Sequence, residues 1–361
     1  MPEPLKNMYN SESLGEFAGE IKSVYPSFLE EEFLKSVMDE TWEELELKAR
    51  GRRISERLGK YLPEDYEEGI SILLKVAPKC TGFFAITLSD FVEVFGQDEK
   101  FWDISIPALS EFTKYCTSEF AVRPFIINHE EAMMEQMYAW SKDENEDVRR
   151  LSSEGCRPQL PWAVALPKFK EDPSPILPIL EQLKADPSLY VRKSVANNLN
   201  DISKTNPDVV VKLAKEWIGK NPDTDWVVKH GCRTLLKKGN SDVLEIFGYH
   251  KSSSIDVSDF KLDKKSISIG EDITFSFSVL GVEDTKVRIE YGVDYVKSNG
   301  KRNRKIFQIS ESSIKKGEKK NYDRKHSFED LSTRKHYGGV HSITLIVNGA
   351  ERGTLDFELV A

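Results

Sequence analysis

The sequence predicts an α-helical solenoid followed by a β-sandwich, and three observations predict it. First, one helical segment recurs. DENEDVRRLSSEGC starts at Asp143, DPSLYVRKSVANNL at Asp186 and DTDWVVKHGCRTLL at Asp223. Each opening Asp is followed five residues on by a valine (Val148, Val191, Val228) and then by two basic or imidazole-bearing residues. The spacings of 43 and 37 residues suit two-helix solenoid units. Second, apolar residues recur every three or four positions until about Gly239 and alternate with polar ones from Val257. Third, the charge changes along the chain. Residues 1–250 hold 31 basic and 43 acidic side chains, net −12, whereas residues 251–361 hold 20 and 17, net +3. The expected division is a helical domain over 1–250, a Ser-rich linker over 251–256 and a β domain over 257–361.

From Ser11 to about Pro63 the pattern is helical, with Phe33, Leu34, Val37 and Met38 on one side and Leu45, Leu47, Ile54 and Leu58 on the next helix. ELKARGRRISERL sets Lys48, Arg50, Arg52, Arg53 and Arg57 on one short stretch, either a solvated face or a phosphate-facing edge. Tyr66 to Pro78 is amphipathic. The aromatic-rich residues 79–103, broken by Gly82 and Gly96, predict helix ends and a buried turn. Ile104 to Tyr115 is helical, and the Arg123-Pro124 step predicts a bend. His129 to Trp140 is a helix whose Met133, Met134 and Met137 belong to a core. Proline-rich connectors (172–178 and 221–225) separate the repeats, and Asp186-Pro187 matches an N-cap followed by a first-turn proline. In the last third, about seven alternating segments fall within about 105 residues, the length and spacing of an immunoglobulin-like sandwich. That domain has no tryptophan and no cysteine pair, so the likeness is one of architecture.

Composition narrows the function. A net charge of −9 argues against a uniformly basic nucleic-acid binder but leaves room for a local basic groove. Cys80, Cys116, Cys156 and Cys232 stand singly with no CxxC spacing, the pattern of reduced thiols without a metal site. No run reaches the roughly 20 apolar residues of a membrane span, and MPEPLKNMYN is no signal peptide. A cytoplasmic protein is expected.

In a solenoid, equivalent positions stack along one surface. Arg149-Arg150, Arg192-Lys193 and Lys229-His230 therefore form a stripe suited to a polyanion, or else cap helices and pair with nearby acids. Glu154, in the first repeat, has Asn197 and Thr234 as counterparts. Glu119 follows a Thr-Ser pair able to open a helix, so capping is its structural alternative. Trp162 lies between Pro161 and Ala163 and is a core candidate. The pair Asn197-Asn198, disfavoured in mid-helix, points to a tertiary role.

TSEFAVRPF (117–125), DVRRLSSEGCRPQLPW (147–162), VRKSVANNLND (191–201) and ELKARGRRI (46–54) together resemble the AlkC family of bacterial alkylpurine DNA glycosylases, over essentially the whole chain. The resemblance implies a HEAT-like repeat superhelix related to the AlkD fold, followed by an Ig-like domain. It implies hydrolysis of the N-glycosidic bond of cationic alkylated bases (3-methyladenine, 3-methylcytosine, 1-methyladenine) in double-stranded DNA, without base flipping, by a monomer that needs no metal or cofactor. Carried over residue by residue, Glu119 and Glu154 are the carboxylates beside the lesion and Asp201 a third acidic group near the scissile bond. Trp162 stacks on the sugar or lesion. Arg150 and Arg157 hold phosphates or orient a carboxylate, and Arg192, Lys193, Lys229 and Arg233 grip the backbone. In the Ig-like domain, SNGKRNRK supplies Lys301, Arg302 and Arg304, and STRKHYGGVHS supplies Arg334, Lys335, His336 and His341 as DNA contacts. Two rivals stay open: a non-catalytic binder of damaged or branched DNA on the same scaffold, and a protein-interaction scaffold.

Overall fold

The computed structural model describes residues 4–80, 82, 84–249, 254–331 and 334–360. Its helices in chain order are α1 (Ser11–Val24), α2 (Glu30–Val37), α3 (Leu47–Tyr61), α4 (Tyr66–Val76), α5 (Phe84–Phe95), α6 (Trp102–Phe112), α7 (Val122–Asn128) and α8 (Glu130–Trp140). They continue as α9 (Glu146–Glu154), α10 (Pro167–Glu171), α11 (Leu177–Leu183), α12 (Leu189–Thr205), α13 (Pro207–Trp217), α14 (Pro222–Gly231), α15 (Arg233–Lys237) and α16 (Ser241–Ile246). The strands are β1 (Ile255–Leu262), β2 (Ser266–Ser268), β3 (Asp272–Gly281), β4 (Thr285–Val296), β5 (Arg302–Ile314), β6 (Lys319–Ser327), β7 (Gly339–Val347) and β8 (Ala350–Val360). The chain is thus helical first and β afterwards, as the change of period requires. Two compact units form. One contains Met1–Asn206 and Gly219–Gly231, the other Pro207–Ile218 and Cys232–Ala361.

Helix starts follow local capping chemistry. Asn10 and Ser13 form a reciprocal capping box at α1, and Asp65 accepts from the Glu68 N–H at α4. Pro124 does not bend the chain as expected. α7 begins at Val122, so the proline falls in the first turn, where its missing N–H leaves no bond unmade. The expected turn over 79–103 is largely the helix α5, a 12-residue element between Gly82 and Gly96. Its buried Phe84, Leu88, Phe91 and Val92 recur at helical spacing, which the aromatic density obscured. Thr81 and Phe83 lie outside the described residues. Met133 and Met137 are fully buried, core as expected.

The basic run on α3 is neither a solvated face nor a phosphate edge. Arg50 is buried and donates to the carbonyls of Lys6 and Tyr9 and to Glu43. Arg52 pairs with Asp90 and Glu93, Arg53 with Asp39, and Arg57 donates to the Ser36 carbonyl. These cations staple neighbouring helices.

The repeat signature has a similar origin. Arg149 donates to the Asp143 and Glu144 carbonyls at 2.9 and 2.8 Å and pairs with Asp186, the opening residue of the next repeat, at 2.7 Å. Arg192 repeats this. It donates to the Asp186 and Pro187 carbonyls at 2.6 and 3.0 Å and pairs with Asp223 at 3.0 Å. Each arginine closes its own inter-helix turn and grips the next unit. Asp186 is therefore not the N-cap of α12. Ser188 holds that position, while Asp186 accepts its N–H at 2.8 Å and faces Arg149.

In the second unit, β1-β3-β6 form one sheet and β2-β8-β7-β4-β5 the other. All pairings are antiparallel except β2 with β8. Inward residues of both sheets, among them Phe275, Phe277, Ile289, Val293, Ile343 and Leu345, make the core. β1 starts at Ile255, within the span read as linker; Lys251 to Ser253 lie outside the described residues. The short helices before β1 belong to this unit too. Lys215 on α13 pairs with Asp242 on α16 at 3.0 Å. Gly239 approaches Gly349 so closely that a Cβ on Gly239 would lie 2.9 Å from the Gly349 carbonyl oxygen.

Candidate active site

The site is built outward from α9. Asn145 caps it, accepting from the Asp147 and Val148 N–H groups at 2.8 and 3.3 Å. This phase sends Val148 and Leu151 into the core and leaves Arg150 and Glu154, four residues apart, on one face. The helix stops at Gly155, where an added Cβ would lie 2.6 Å from Val122 and 2.9 Å from Met137, so only glycine lets α7 and α8 approach. Beyond it runs a non-helical strap to Leu166. The buried Arg123 holds this strap by donating to the carbonyls of Gly155 (2.8 Å), Arg157 (3.0 Å) and Val164 (2.5 Å). Burial pushes its guanidinium down to about 10.

Along this scaffold the charges alternate. Arg150 pairs with Glu119 and lies 3.5 Å from Glu154. Arg157 bonds Glu154 at 2.6 Å and Asp201 at 2.8 Å, and Lys204 bonds the other Asp201 oxygen at 2.7 Å. Thr117 donates to Glu119 at 3.0 Å. Three carboxylates and three cations thus form one connected line. Burial works to lower the Arg150 and Arg157 guanidiniums, yet their carboxylate partners outweigh it and hold both above the ordinary value. Arg150 and Arg157 are therefore each engaged by two carboxylates.

A cleft of about 410 Å³ opens over part of this line. Its lining includes Glu119, Arg150, Glu154, Arg157, Trp162 and Tyr190. Asp201, only 2% exposed, is not among the lining residues; it sits behind Arg157 with both oxygens occupied. Trp162 is no core residue, being 65% exposed. Its φ of 64° is left-handed, which costs a residue with a side chain about 1–2 kcal/mol. Pro161 precedes it, and the Ala163 N–H donates to the Leu160 carbonyl at 3.3 Å. Proline followed by a positive φ is the pattern of a type II turn, whose third position ordinarily holds glycine. The Trp162 carbonyl accepts from the Lys48 ammonium at 2.6 Å. Arg150 also lies 5.1 Å from the Tyr190 ring centroid.

Of the other predicted backbone contacts, Arg192 is taken up by the repeat ladder described above. Lys193 and Lys229 are exposed, and Arg233 is partly buried. In the sandwich, His341 is fully buried and accepts from the Val296 N–H at 3.2 Å, while His336 is 6% exposed and packs on Phe328. Neither is a surface contact. Both fold into an aromatic cluster around His326, which lies 2.9 Å from the Tyr291 hydroxyl and 2.6 Å from that of Tyr295. Arg304 is held by Asp294 at 2.8 Å and by Glu351, and Arg302 donates to Ser342 at 2.9 Å. Lys301 is exposed at the end of the β4–β5 turn. A cleft of about 300 Å³ nearby gathers Lys297, Lys305, Arg334 and Lys335 with Asn303 and Tyr337. Arg334 and Lys335 thus stay at a basic surface, joined by Lys297 and Lys305. Ser332 and Thr333 lie outside the described residues.

The fold has a solved counterpart. The structure of a Pseudomonas fluorescens alkylpurine DNA glycosylase AlkC, bound to DNA containing an abasic site analog, superposes with a TM-score of 0.95. It is 38% identical in sequence, over 99% of this chain and 100% of that one. The chain belongs to the AlkC family of alkylpurine DNA glycosylases. Family profiles agree. One described as "DNA alkylation repair enzyme" matches residues 95–235, and one described as "Uncharacterised protein YhaZ, C-terminal Ig-like domain" matches residues 256–361. A Bacillus subtilis (strain 168) relative, "Uncharacterized protein YhaZ", is 49% identical over 355 residues, 98% of this chain and 99% of its own length.

In this AlkC-family chain, sequence reasoning does not single out Tyr190, Thr117 and Phe120, which line the cleft, or Lys48, which lines the neighbouring cavity and bonds the Trp162 carbonyl. Tyr190 directly precedes the repeat valine Val191, a position held by Asp147 and Val227 in the other two repeats, so no periodic signal marks it. Lys48 was noted only as part of a basic run, since nothing local links it to a residue 114 positions away.

Proposed function

We propose that this protein is a monofunctional DNA glycosylase that removes cationic alkylated bases from duplex DNA. The substrates in this proposal are 3-methyladenine, 3-methylcytosine and 1-methyladenine, attacked without base flipping. The observation that carries it is the cleft holding Glu119 and Glu154 with an exposed Trp162. A binder of phosphates gains nothing from carboxylates there, whereas a positive sugar does. The C1′–N bond breaks heterolytically and the cationic base leaves neutral with the electron pair. The oxocarbenium-like C1′ is stabilised by the carboxylates and the indole face. Water adds to C1′ and gives up a proton to Glu154 and from there to solvent, leaving an abasic hemiacetal.

Among the described residues, the cleft lining includes no histidine, the side chain best suited to protonate a leaving group at neutral pH. That fits a base which already carries its charge. Glu154 positions the water, Arg150 and Arg157 hold the carboxylates in register, and Asp201 anchors Arg157. In this proposal residues 1–250 carry the chemistry. Residues 257–361 hold the backbone through Lys297, Lys301, Lys305, Arg334 and Lys335, and Lys193, Lys229 and Arg233 grip it from the helical part. The enzyme acts as a monomer. Among the described residues no helix is long and apolar enough to cross a membrane.

The test is base release from duplex DNA carrying these lesions, analysed by chromatography, for wild type and Glu154→Gln. We expect free base and an abasic strand from wild type, and a loss of about 10²–10³-fold in the variant with duplex affinity retained. Duplex binding with no base release moves the protein to the non-catalytic binder of damaged DNA. No salt-dependent duplex binding at all leaves the protein-interaction scaffold.

A further inference from the structure

Trp162 stands where its own sequence gives it little reason to stand. It occupies the glycine position of a type II turn, at a φ of 64°, and its ring is mostly in solvent. Leu-Pro-Trp-Ala is equally compatible with a type I turn, in which the third residue has negative φ and the indole points elsewhere. A contact from outside the turn is needed to hold the indole in place.

Two cations from distant elements hold the strap. Arg123 fixes its two ends, through the Gly155 and Arg157 carbonyls on one side and the Val164 carbonyl on the other. Lys48 reaches from α3 to the carbonyl of Trp162 itself at 2.6 Å, and its ammonium lies 4.7 Å from the centroid of the Phe120 ring. Phe120, Thr117, Ile86 and Trp162 line both the carboxylate cleft and a second, smaller cavity of about 60 Å³ that includes Lys48. Trp162 thus borders both, and Lys48 lines the smaller one, with Asp90 and Glu93, and not the cleft of Glu119 and Glu154.

We infer that Lys48 is a positioning residue for Trp162: its bond to the Trp162 carbonyl anchors the left-handed turn and so holds the indole at the carboxylate cleft. Lys48 touches neither Glu119 nor Glu154 and acts through the turn alone. The inference rests on the glycosylase reading for its catalytic consequence, but not for the geometry.

The experiment uses the full chain labelled with 5-fluorotryptophan, whose six indoles give six fluorine resonances. Trp162→Gly identifies the Trp162 signal by its loss. Lys48 is exposed, so Lys48→Met should fold; it should shift or broaden the Trp162 resonance and leave the other five in place. Lys48→Arg should restore the wild-type position. In single-turnover release of 3-methyladenine from duplex DNA, Lys48→Met should be slower by about ten- to a hundredfold, the cost of a misplaced group. Affinity for a duplex with an abasic analogue should stay within about threefold, and Lys48→Arg should recover most of the rate. Added to Trp162→Gly, Lys48→Met should cause no further loss.

An unmoved Trp162 resonance in Lys48→Met overturns the inference. So does a loss that multiplies with that of Trp162→Gly. So does weaker duplex binding with a shallower salt dependence, which would make Lys48 a phosphate contact. If wild type releases no base, the glycosylase reading fails, and the fluorine spectrum still decides the role of Lys48.

Discussion

In the helical unit the side chains from Glu119 through Arg150, Glu154 and Arg157 to Asp201 are buried as ions, each against an opposite charge. In the sandwich His326, His336 and His341 are buried against aromatic rings, hydroxyls and backbone groups, and burial holds all three below the usual imidazole range. The first arrangement keeps charge ready in a cleft at the expense of many mutual dependences. The second removes charge from a core that needs only to be packed. Charged residues dense in a sequence are therefore poor guides to where charge acts. The basic run of α3, the repeat arginines and Arg304 are all bonded within the protein, while the cleft carboxylates are paired with cations that look from sequence like phosphate ligands.

The comparison breaks most readily at Arg157. Arg157→Leu leaves Glu154 and Asp201 each short of a partner inside the protein, a loss of about 3–5 kcal/mol. Thermal melting should show the helical transition lowered by roughly 10 °C. Glu154→Gln combined with Arg157→Leu should recover part of that loss, because it removes one of the stranded charges. Equal losses in the single and double variants would mean that the pair is not coupled.

A smaller effect is expected of the sandwich, and it depends on pH. His326 is pushed down to about 4, first by burial and then by the neighbouring Arg334 and His336, with Asp272 opposing. The unfolded chain binds this proton near 6.5, the folded one only near 4. Stability is therefore full above pH 6.5 and falls as pH drops towards 4, by about 3 kcal/mol for this group. Chemical denaturation of the sandwich from pH 7 to 4 should show that slope. A flat profile would show that the imidazole meets a favourable partner when protonated.

Smaller again is the repeat ladder. Arg149→Gln and Arg192→Gln should each cost about 1–2 kcal/mol of stability, read by urea unfolding, and leave the salt dependence of duplex binding unchanged. A shallower salt dependence in either variant would return that arginine to the DNA interface. The mildest change is at the sandwich surface. Lys297→Gln with Lys335→Gln should lower the slope of log affinity against log salt by about 2, whereas Arg304→Gln, which removes a cation already paired with Asp294 and Glu351, should hardly alter it.

Much of the molecule was legible in its sequence because the relevant signals are local. A valine five residues after each opening Asp, the loss of the 3.6-residue period after Gly239 and the alternation Ile273, Phe275, Phe277, Val279 follow directly from helix and strand geometry. They are enough to order the two architectures, and the long motifs around Glu119, Glu154 and Trp162 named the residues that the fold then gathers into one cleft. What local pattern could not supply is who meets whom. Arg149 finds its acid 37 residues away, Arg157 finds Asp201 44 residues away, and Lys48 finds the Trp162 carbonyl 114 residues away. Nor could it tell that His341 points into the sandwich while Lys335 lines a surface cleft. A periodicity fixes which face of an element is buried. The partner of a long charged side chain depends on which elements are stacked against it, and only the tertiary structure decides that.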